Sequence, residues 1–196
     1  IICLLLSIVP VKAIDFQGKA YIVMESTHLT VLEGQNIHYI QSVASISKIM
    51  TAIVAIENGQ LDDVYTIGEE VNEAWGSGVY IHIGDQINLR DLLHGLLLRS
   101  GNDAANCIAK NIGGNIATFV DMMNQKAQEL GMSGTHFVNC NGMPDENHYS
   151  TARDIAKVAA YAIKNEMFRR IVASPRIIMP DWEKPGSTYE AENTNK

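Results

Sequence analysis

A serine and a lysine three residues apart, Ser45 and Lys48, lie in "QSVASISKIMTAIVAIENG", where a polar segment passes into an apolar run. A serine hydroxyl is a poor nucleophile until a base takes its proton. A lysine amine is such a base only when burial or a neighbouring cation lowers its pKa. Residues i and i+3 share one helix face, so this spacing lets the Lys48 amine reach the Ser45 hydroxyl. The apolar residues that follow, Ile49, Met50, Ile53, Val54 and Ile56, carry Lys48 toward the interior. The N-terminus of their helix adds a partial positive charge, which favours an oxyanion and disfavours an ammonium. By itself the pair carries little weight, because Ser-x-x-Lys arises about once by chance in a chain of this length. A solvated lysine in a first helical turn is the plain alternative.

A second group with chemical capacity is Ser100-Gly101-Asn102, set between two apolar segments. Its hydroxyl can relay a proton, and its amide can both donate and accept. The same tripeptide also reads as an ordinary turn with a helix N-cap. The six histidines are scattered, with no His-x-x-x-His or Cys-x-x-Cys pair, so neither a metal site nor a cofactor is expected. His148, beside a loop, reads as a hydrogen-bonding structural residue.

Around these groups the chain alternates its periods. "KAYIVMES", "LTVLEG" and "NIHYIQ" read as strands between turns. A helix is expected over Ser45 to Asn58, stopped by Gly59, followed by short strands or loops in "DDVYTIGEEV" and "SGVYIHIGDQI". Asn88 caps the apolar helix "LRDLLHGLLL", and "DAANCIAKNI" makes a third helix closed by Gly113-Gly114. A fourth runs from about Ile116 to Leu130, with Gly131 in the left-handed region after it. Thr151 to Asp154 has capping-box spacing for a fifth, with Asp in place of Glu. After Arg169 the pattern weakens into a strand, "PRIIMPDW", and a polar tail. Strands, then helices, then a strand again indicate an α+β class.

The 196 residues suffice for one sizeable domain, with the 46% hydrophobic and 19% charged content of a globular protein. A net charge of -7 and the lack of a Lys/Arg cluster argue against a nucleic-acid partner. "IICLLLSIVPVKA", residues 1–13, reads as the remnant of a signal peptide ending at a small-residue cleavage site, which implies export. A buried strand is the alternative there, interrupted by Pro10 and Lys12. Cys107 and Cys140 remain in the mature part, either paired or as two small buried hydrophobes.

Taken together, these residues resemble the serine D-Ala-D-Ala carboxypeptidases, the low-molecular-mass penicillin-binding proteins, among whose motifs Ser-x-x-Lys belongs. "ASISKIMTA" is similar to the family's Ala-Ser-x-x-Lys-Ile-Met-Thr-Ala block. "GDQINLRDLLHGLLLRSGNDAANCIA" is similar to the block leading into its Ser-Gly-Asn. "THFVNCNGMPDENHYSTARDIA" resembles its Phe-x-Asn-Pro-x-Gly-Leu and Ser-Thr-Ala-x-Asp block, with Cys140 for Pro and Met143 for Leu. Those two departures are expected to affect loop packing, not chemistry. The likeness runs from Lys19 to Lys196.

The resemblance implies a penicillin-binding-protein/β-lactamase-like fold, a helical cluster on an antiparallel sheet, over a transpeptidase-like domain of residues 14–196. It implies Ser45 as the acylated nucleophile, Lys48 as its general base and Ser100 as a proton shuttle to the leaving D-alanine. Asn102 would hold the substrate's amide, and the Ser45 N–H would be an oxyanion donor. The implied substrates are peptidoglycan stem peptides ending in D-Ala-D-Ala, with β-lactam antibiotics as covalent inhibitors, acting in the cell envelope. The family's third motif, Lys-Thr-Gly on a strand, is not in this sequence. Lys184-Pro185-Gly186 is a poor substitute, since proline lacks the N–H. The expectation is that the chain stops short of that strand and of the rest of the sheet. Residues 1–196 alone would then turn over little substrate. A membrane association through a later C-terminal segment is left open.

Two other readings stand beside this one. A class A β-lactamase would need a Glu-x-x-Leu-Asn run for deacylation, and Ser-Asp-Asn rather than Ser-Gly-Asn; neither is present. A non-catalytic penicillin- or peptidoglycan-binding module is compatible with the missing third motif but leaves Ser45 and Lys48 without a purpose.

Overall fold

Helix α1 (Lys48–Asn58) is the element around which the molecule is built, because Met50, Ala52, Ile53, Val54 and Ala55 are all buried. It packs against helices α2 (Leu89–Leu98), α3 (Asn102–Gly113), α4 (Ile116–Glu129) and α5 (Ala152–Ala162). Helix α6 (Glu166–Ala173) lies on α2. The computed structural model describes residues 16–180 and 188–193.

Local chemistry fixes the helix ends. Asn88, Asn115, Thr151 and Asn165 each accept the backbone N–H three residues on, for α2, α4, α5 and α6 in turn. Each such cap contributes about 1 kcal/mol. Among the described residues, three two-stranded antiparallel sheets accompany the helices: β1 (Tyr21–Met24) with β2 (Val31–Gln35), β3 (Val64–Thr66) with β4 (Gln86–Asn88), and β5 (Arg176–Pro180) with β6 (Thr188–Glu192). The class is α+β, as the pattern predicts.

Four details differ from the sequence expectation. Ser45 does not begin the α-helix: Ala44–Ser47 form a 3-10 turn, and α1 starts at Lys48. Side chains at i and i+3 eclipse in that geometry, so the spacing argument survives the change. The third strand, "NIHYIQ", does not form. Asn36 enters the left-handed region at φ 51°, Ile37 gives its carbonyl to Arg153 N, and only Gln41 pairs, as a lone bridge to Ser150. The long fifth helix is two, because Asn165 opens α6 three residues after α5 ends. The polar tail supplies β6, whose register runs from Thr188 opposite Pro180 to Glu192 opposite Arg176.

The capping box at Thr151 is half made. Asp154 carries one methylene fewer than glutamate and turns its carboxylate to Gly134 N (2.8 Å), Thr135 Oγ1 (3.1 Å) and Lys157 Nζ (3.0 Å). Cys107 and Cys140 are both free and buried. Residues 1–13, with Cys3, and Lys184-Pro185-Gly186 lie outside the described residues. No helix among the described residues is long and apolar enough to cross a membrane.

Candidate active site

The site begins with a backbone contact. Ala44 is held at φ 46°, and the turn it opens presents Ser45 exposed at the surface. Gly142 lies against this turn at φ 82°. A Cβ there would stand 2.1 Å from Ala44 O and 3.0 Å from Ser45 N, so only glycine admits this approach. The Ser45 N–H falls among the first donors of its turn, which no carbonyl of the same helix reaches.

Lys48 is 2% exposed, and its amine has three oxygen neighbours. These are Ser45 Oγ at 3.1 Å, Asn102 Oδ1 at 2.7 Å and the Asn141 carbonyl at 2.5 Å. Burial lowers its pKa to about 8, against a smaller opposing pull from Cys140 and Asp103. Among the described residues, no carboxylate touches the amine. A neutral amine has two N–H groups and one lone pair. With Asn102 Oδ1 and Asn141 O taking the two hydrogens, the lone pair is left for the Ser45 proton. Neutral acceptors thus both orient the amine and leave it basic.

Each partner is positioned from elsewhere. Asn102, at the start of α3, donates its Nδ2 to Trp75 O (2.6 Å) and to Met143 Sδ (3.3 Å), which turns its oxygen toward Lys48. Its neighbour Asp103 is buried and gathers the N–H groups of Val79, Tyr80 and Ile81 at 2.7–3.3 Å, fixing the loop that carries Trp75. Ser100 is half-buried at φ 57°, a strained setting for a non-glycine residue. It shares with Ser45 and Lys48 a cleft of about 430 Å³ whose apolar wall includes Leu96, Phe168 and Val172. The structure therefore brings Ser45 and Asn102 each into contact with Lys48, and sets Ser100 on the cleft that Ser45 and Lys48 line.

A second serine is paired with a base yet is unsuited to attack. Ser47 Oγ lies 2.7 Å from His148 Nε2, both buried. His148 Nδ1 accepts from Val138 N at 3.3 Å, so the ring proton sits on Nε2 and is donated to Ser47. Burial also lowers the His148 pKa. The histidine is structural, as the sequence suggests, and binds the turn under Ser45 to the segment after Asn141.

Sequence reasoning missed the Asn141 carbonyl, since every residue has one and no pattern marks it. It missed the Asp103 clamp for the same reason: carboxylate-to-backbone contacts leave no spacing signature. The departure at Met143 is not confined to loop packing, because its sulfur touches the amide of Asn102. The one available signal was Gly142, a glycine in a loop between Asn141 and Met143.

Comparison with known proteins adds independent findings. A family model described as D-alanyl-D-alanine carboxypeptidase matches residues 8–193. The chain is 34% identical over 159 residues to D-alanyl-D-alanine carboxypeptidase DacA of Haemophilus influenzae, covering 76% of this chain and 40% of that protein. The crystal structure of a D-alanyl-D-alanine carboxypeptidase from Mycobacterium tuberculosis matches with a TM-score of 0.85 and 30% identity, over 90% of this chain and 66% of that one. Penicillin binding protein 6B from Escherichia coli matches with a TM-score of 0.81 and 26% identity, over 90% and 57%. This chain thus spans well under two thirds of the length of the Haemophilus relative.

Proposed function

The chain belongs to the D-alanyl-D-alanine carboxypeptidase family, and from that premise we propose that it removes the terminal D-alanine from peptidoglycan stem peptides through an acyl-enzyme on Ser45. The observation that carries this reading is the Lys48 amine, 3.1 Å from Ser45 Oγ and, among the described residues, otherwise held only by neutral oxygens. With a pKa of about 8, roughly a tenth of the molecules hold Lys48 neutral at pH 7.

Lys48 takes the Ser45 proton as the hydroxyl oxygen attacks the carbonyl between the two D-alanines. The oxyanion forms at the N-terminus of the turn, where the Ser45 N–H is one donor. Ser100 gives its hydroxyl proton to the nitrogen of the departing D-alanine and takes in its place the proton held by Lys48, and the C–N bond breaks to leave an ester on Ser45. Water then hydrolyses that ester by the reverse proton route, regenerating the serine. Asn102 holds the substrate's amide by giving up its contact with Met143 Sδ, while its oxygen stays on Lys48. A β-lactam carbonyl offers the same attack site but keeps its leaving group tethered, so penicillins acylate Ser45. A substrate built into the wall places the reaction outside the cytoplasm.

The test is intact-mass analysis and peptide mapping of the full-length protein after exposure to a labelled penicillin, together with D-alanine release from a D-Ala-D-Ala peptide. The label is expected on Ser45, with free D-alanine produced. A label on another serine, or no D-alanine, overturns the reading.

A further inference from the structure

Helix α3 carries two buried asparagines one turn apart, and only the first touches Lys48. Asn106, at 3% exposure, lies four residues after Asn102 and so on the same helix face. Its Nδ2 donates to Glu70 O at 3.1 Å, which fixes the way its amide points. Its Oδ1 then receives the Asn141 Nδ2 at 3.1 Å and the Cys140 thiol at 3.4 Å. The Asn141 side chain is held at its other end as well, accepting from Met143 N at 3.0 Å. Asn139 tightens the same turn by accepting from Gly142 N and Met143 N. The fixed peptide of Asn141 is the one whose carbonyl takes a hydrogen of Lys48 Nζ.

We propose that Asn106 is a positioning residue for acylation, setting the direction of the Lys48 lone pair by anchoring the Asn141 peptide. The inference rests on the reading of Lys48 as general base. Asn106 reaches neither Ser45 nor the cleft, so its effect passes through the Cys140–Asn141 segment that it holds. Two asparagines on one helix turn thereby fix two of the three contacts of a single amine: Asn102 directly, and Asn106 by way of a loop residue 35 positions away. A helix is rigid over one turn, so the two acceptors keep a constant separation.

The consequence is specific. If the Asn141 peptide is released, the ammonium form of Lys48 loses an acceptor and the neutral form loses its orientation. The amine then titrates at lower pH, yet acylates more slowly at the pH where it is fully neutral. Asp103, which pulls the other way on Lys48, keeps its contacts in all the variants; Cys140, which also does so, loses its thiol's acceptor with Asn106 but keeps it in Asn141→Ala, so agreement between the two single variants separates its contribution.

The experiment compares Asn106→Ala, Asn141→Ala and the double variant in the full-length protein. It follows the pH profile of acylation by a chromogenic β-lactam and the titration of Lys48 by NMR of isotopically labelled lysine. Each single variant is expected to lower the high-pH acylation rate by about tenfold to a hundredfold, while the Lys48 midpoint moves down. The double variant is expected to be no slower than the worse single one, because the two residues act as one link. Asn106→Ser, which keeps a polar group in the site, gives the same pattern at smaller amplitude. Rates that simply add, or an unchanged plateau and Lys48 midpoint in a folded Asn106→Ser or Asn106→Ala protein, overturn the proposal. A parent protein that is not acylated at all counts against the proposed function instead, and the Lys48 titration still decides the role of Asn106.

Discussion

Two lysines in this chain are each surrounded by three groups, with opposite results. Lys48 is enclosed by a hydroxyl, an amide oxygen and a peptide carbonyl, all neutral, and its pKa falls to about 8. Lys126 sits at the surface between Glu57 Oε2 (2.9 Å) and Glu129 Oε2 (2.6 Å), under the ring of Tyr161 at 5.7 Å. Its pKa is raised, first by the bond to Glu129 and then by that to Glu57. The side chains are the same. One lysine is a permanent cation tying α1, α4 and α5 together; the other is a cation only on sufferance, in a place where no negative group among the described residues touches it. A reactive amine is thus made by withholding carboxylates, as much as by burial.

The comparison breaks first at Lys48→Arg. Arginine keeps the charge and can fill the acceptors but cannot give up its proton, so acylation by labelled penicillin is expected to fall ~10²–10⁴-fold. A rate within threefold of the parent would reduce Lys48 to a charge and erase the contrast. Next comes the response of stability to pH, measured by urea unfolding of the parent, Lys48→Met and Lys126→Met between pH 7 and 11. For Lys48 the folded pKa lies below the unfolded value of 10.5. From about pH 8 to 10.5 the unfolded chain therefore holds a proton that the folded one lacks, and folding gains stability as pH rises. The parent should gain on Lys48→Met by up to ~3 kcal/mol over that window. Lys126 has the opposite sign: its folded pKa is raised, so its contribution is complete below pH 10.5 and disappears above. Parallel slopes for the two variants would contradict the assignment.

A third test sharpens the dependence of the neutral site on its backbone contact. Gly142→Ala drives a Cβ into Ala44 O, and a loss of at least ~2 kcal/mol is expected in thermal or urea unfolding. Gly114→Ala has nearly the same φ, 76° against 82°, but nothing within 4 Å, and should lose only ~1 kcal/mol. Equal losses would mean that strain, not the Ala44 contact, governs Gly142. The smallest effect belongs to Lys126→Met: ~0.2–1 kcal/mol, reduced by added salt, with acylation untouched.

How much of this was legible in the sequence depends on distance along the chain. Helix caps, left-handed glycines after helices and the Ser45–Lys48 spacing are local, and the structure has them at or within a few residues of their predicted places. The break at Asn165 was missed because a capping asparagine among helix formers looks like any polar surface position. The strand at Thr188–Glu192 was missed because its polar residues show strand character only opposite β5. Of the candidate site, Ser45, Lys48, Ser100 and Asn102 stood out because side-chain chemistry marks them. The Asn141 carbonyl, the Asp103 clamp and the Asn106 anchor did not, since backbone groups and tertiary hydrogen bonds leave no periodicity to read.

The three contacts of Lys48 also differ in how much chain separates them. Ser45 is three residues away, whereas Asn102 and Asn141 are 54 and 93 positions off. The near contact needs one turn; the far ones wait for large loops to close, a slow step in chain assembly. Until then Lys48 is in water and protonated at neutral pH, and the serine beside it is inert. On the proposed function, reactivity toward a β-lactam is accordingly expected to be one of the last properties a refolding full-length chain acquires, after its helices have formed. Trapping with a labelled penicillin at intervals during refolding would read the arrival of the third and fourth helices' loops as a clock reads time, by the appearance of covalent label against an already helical background.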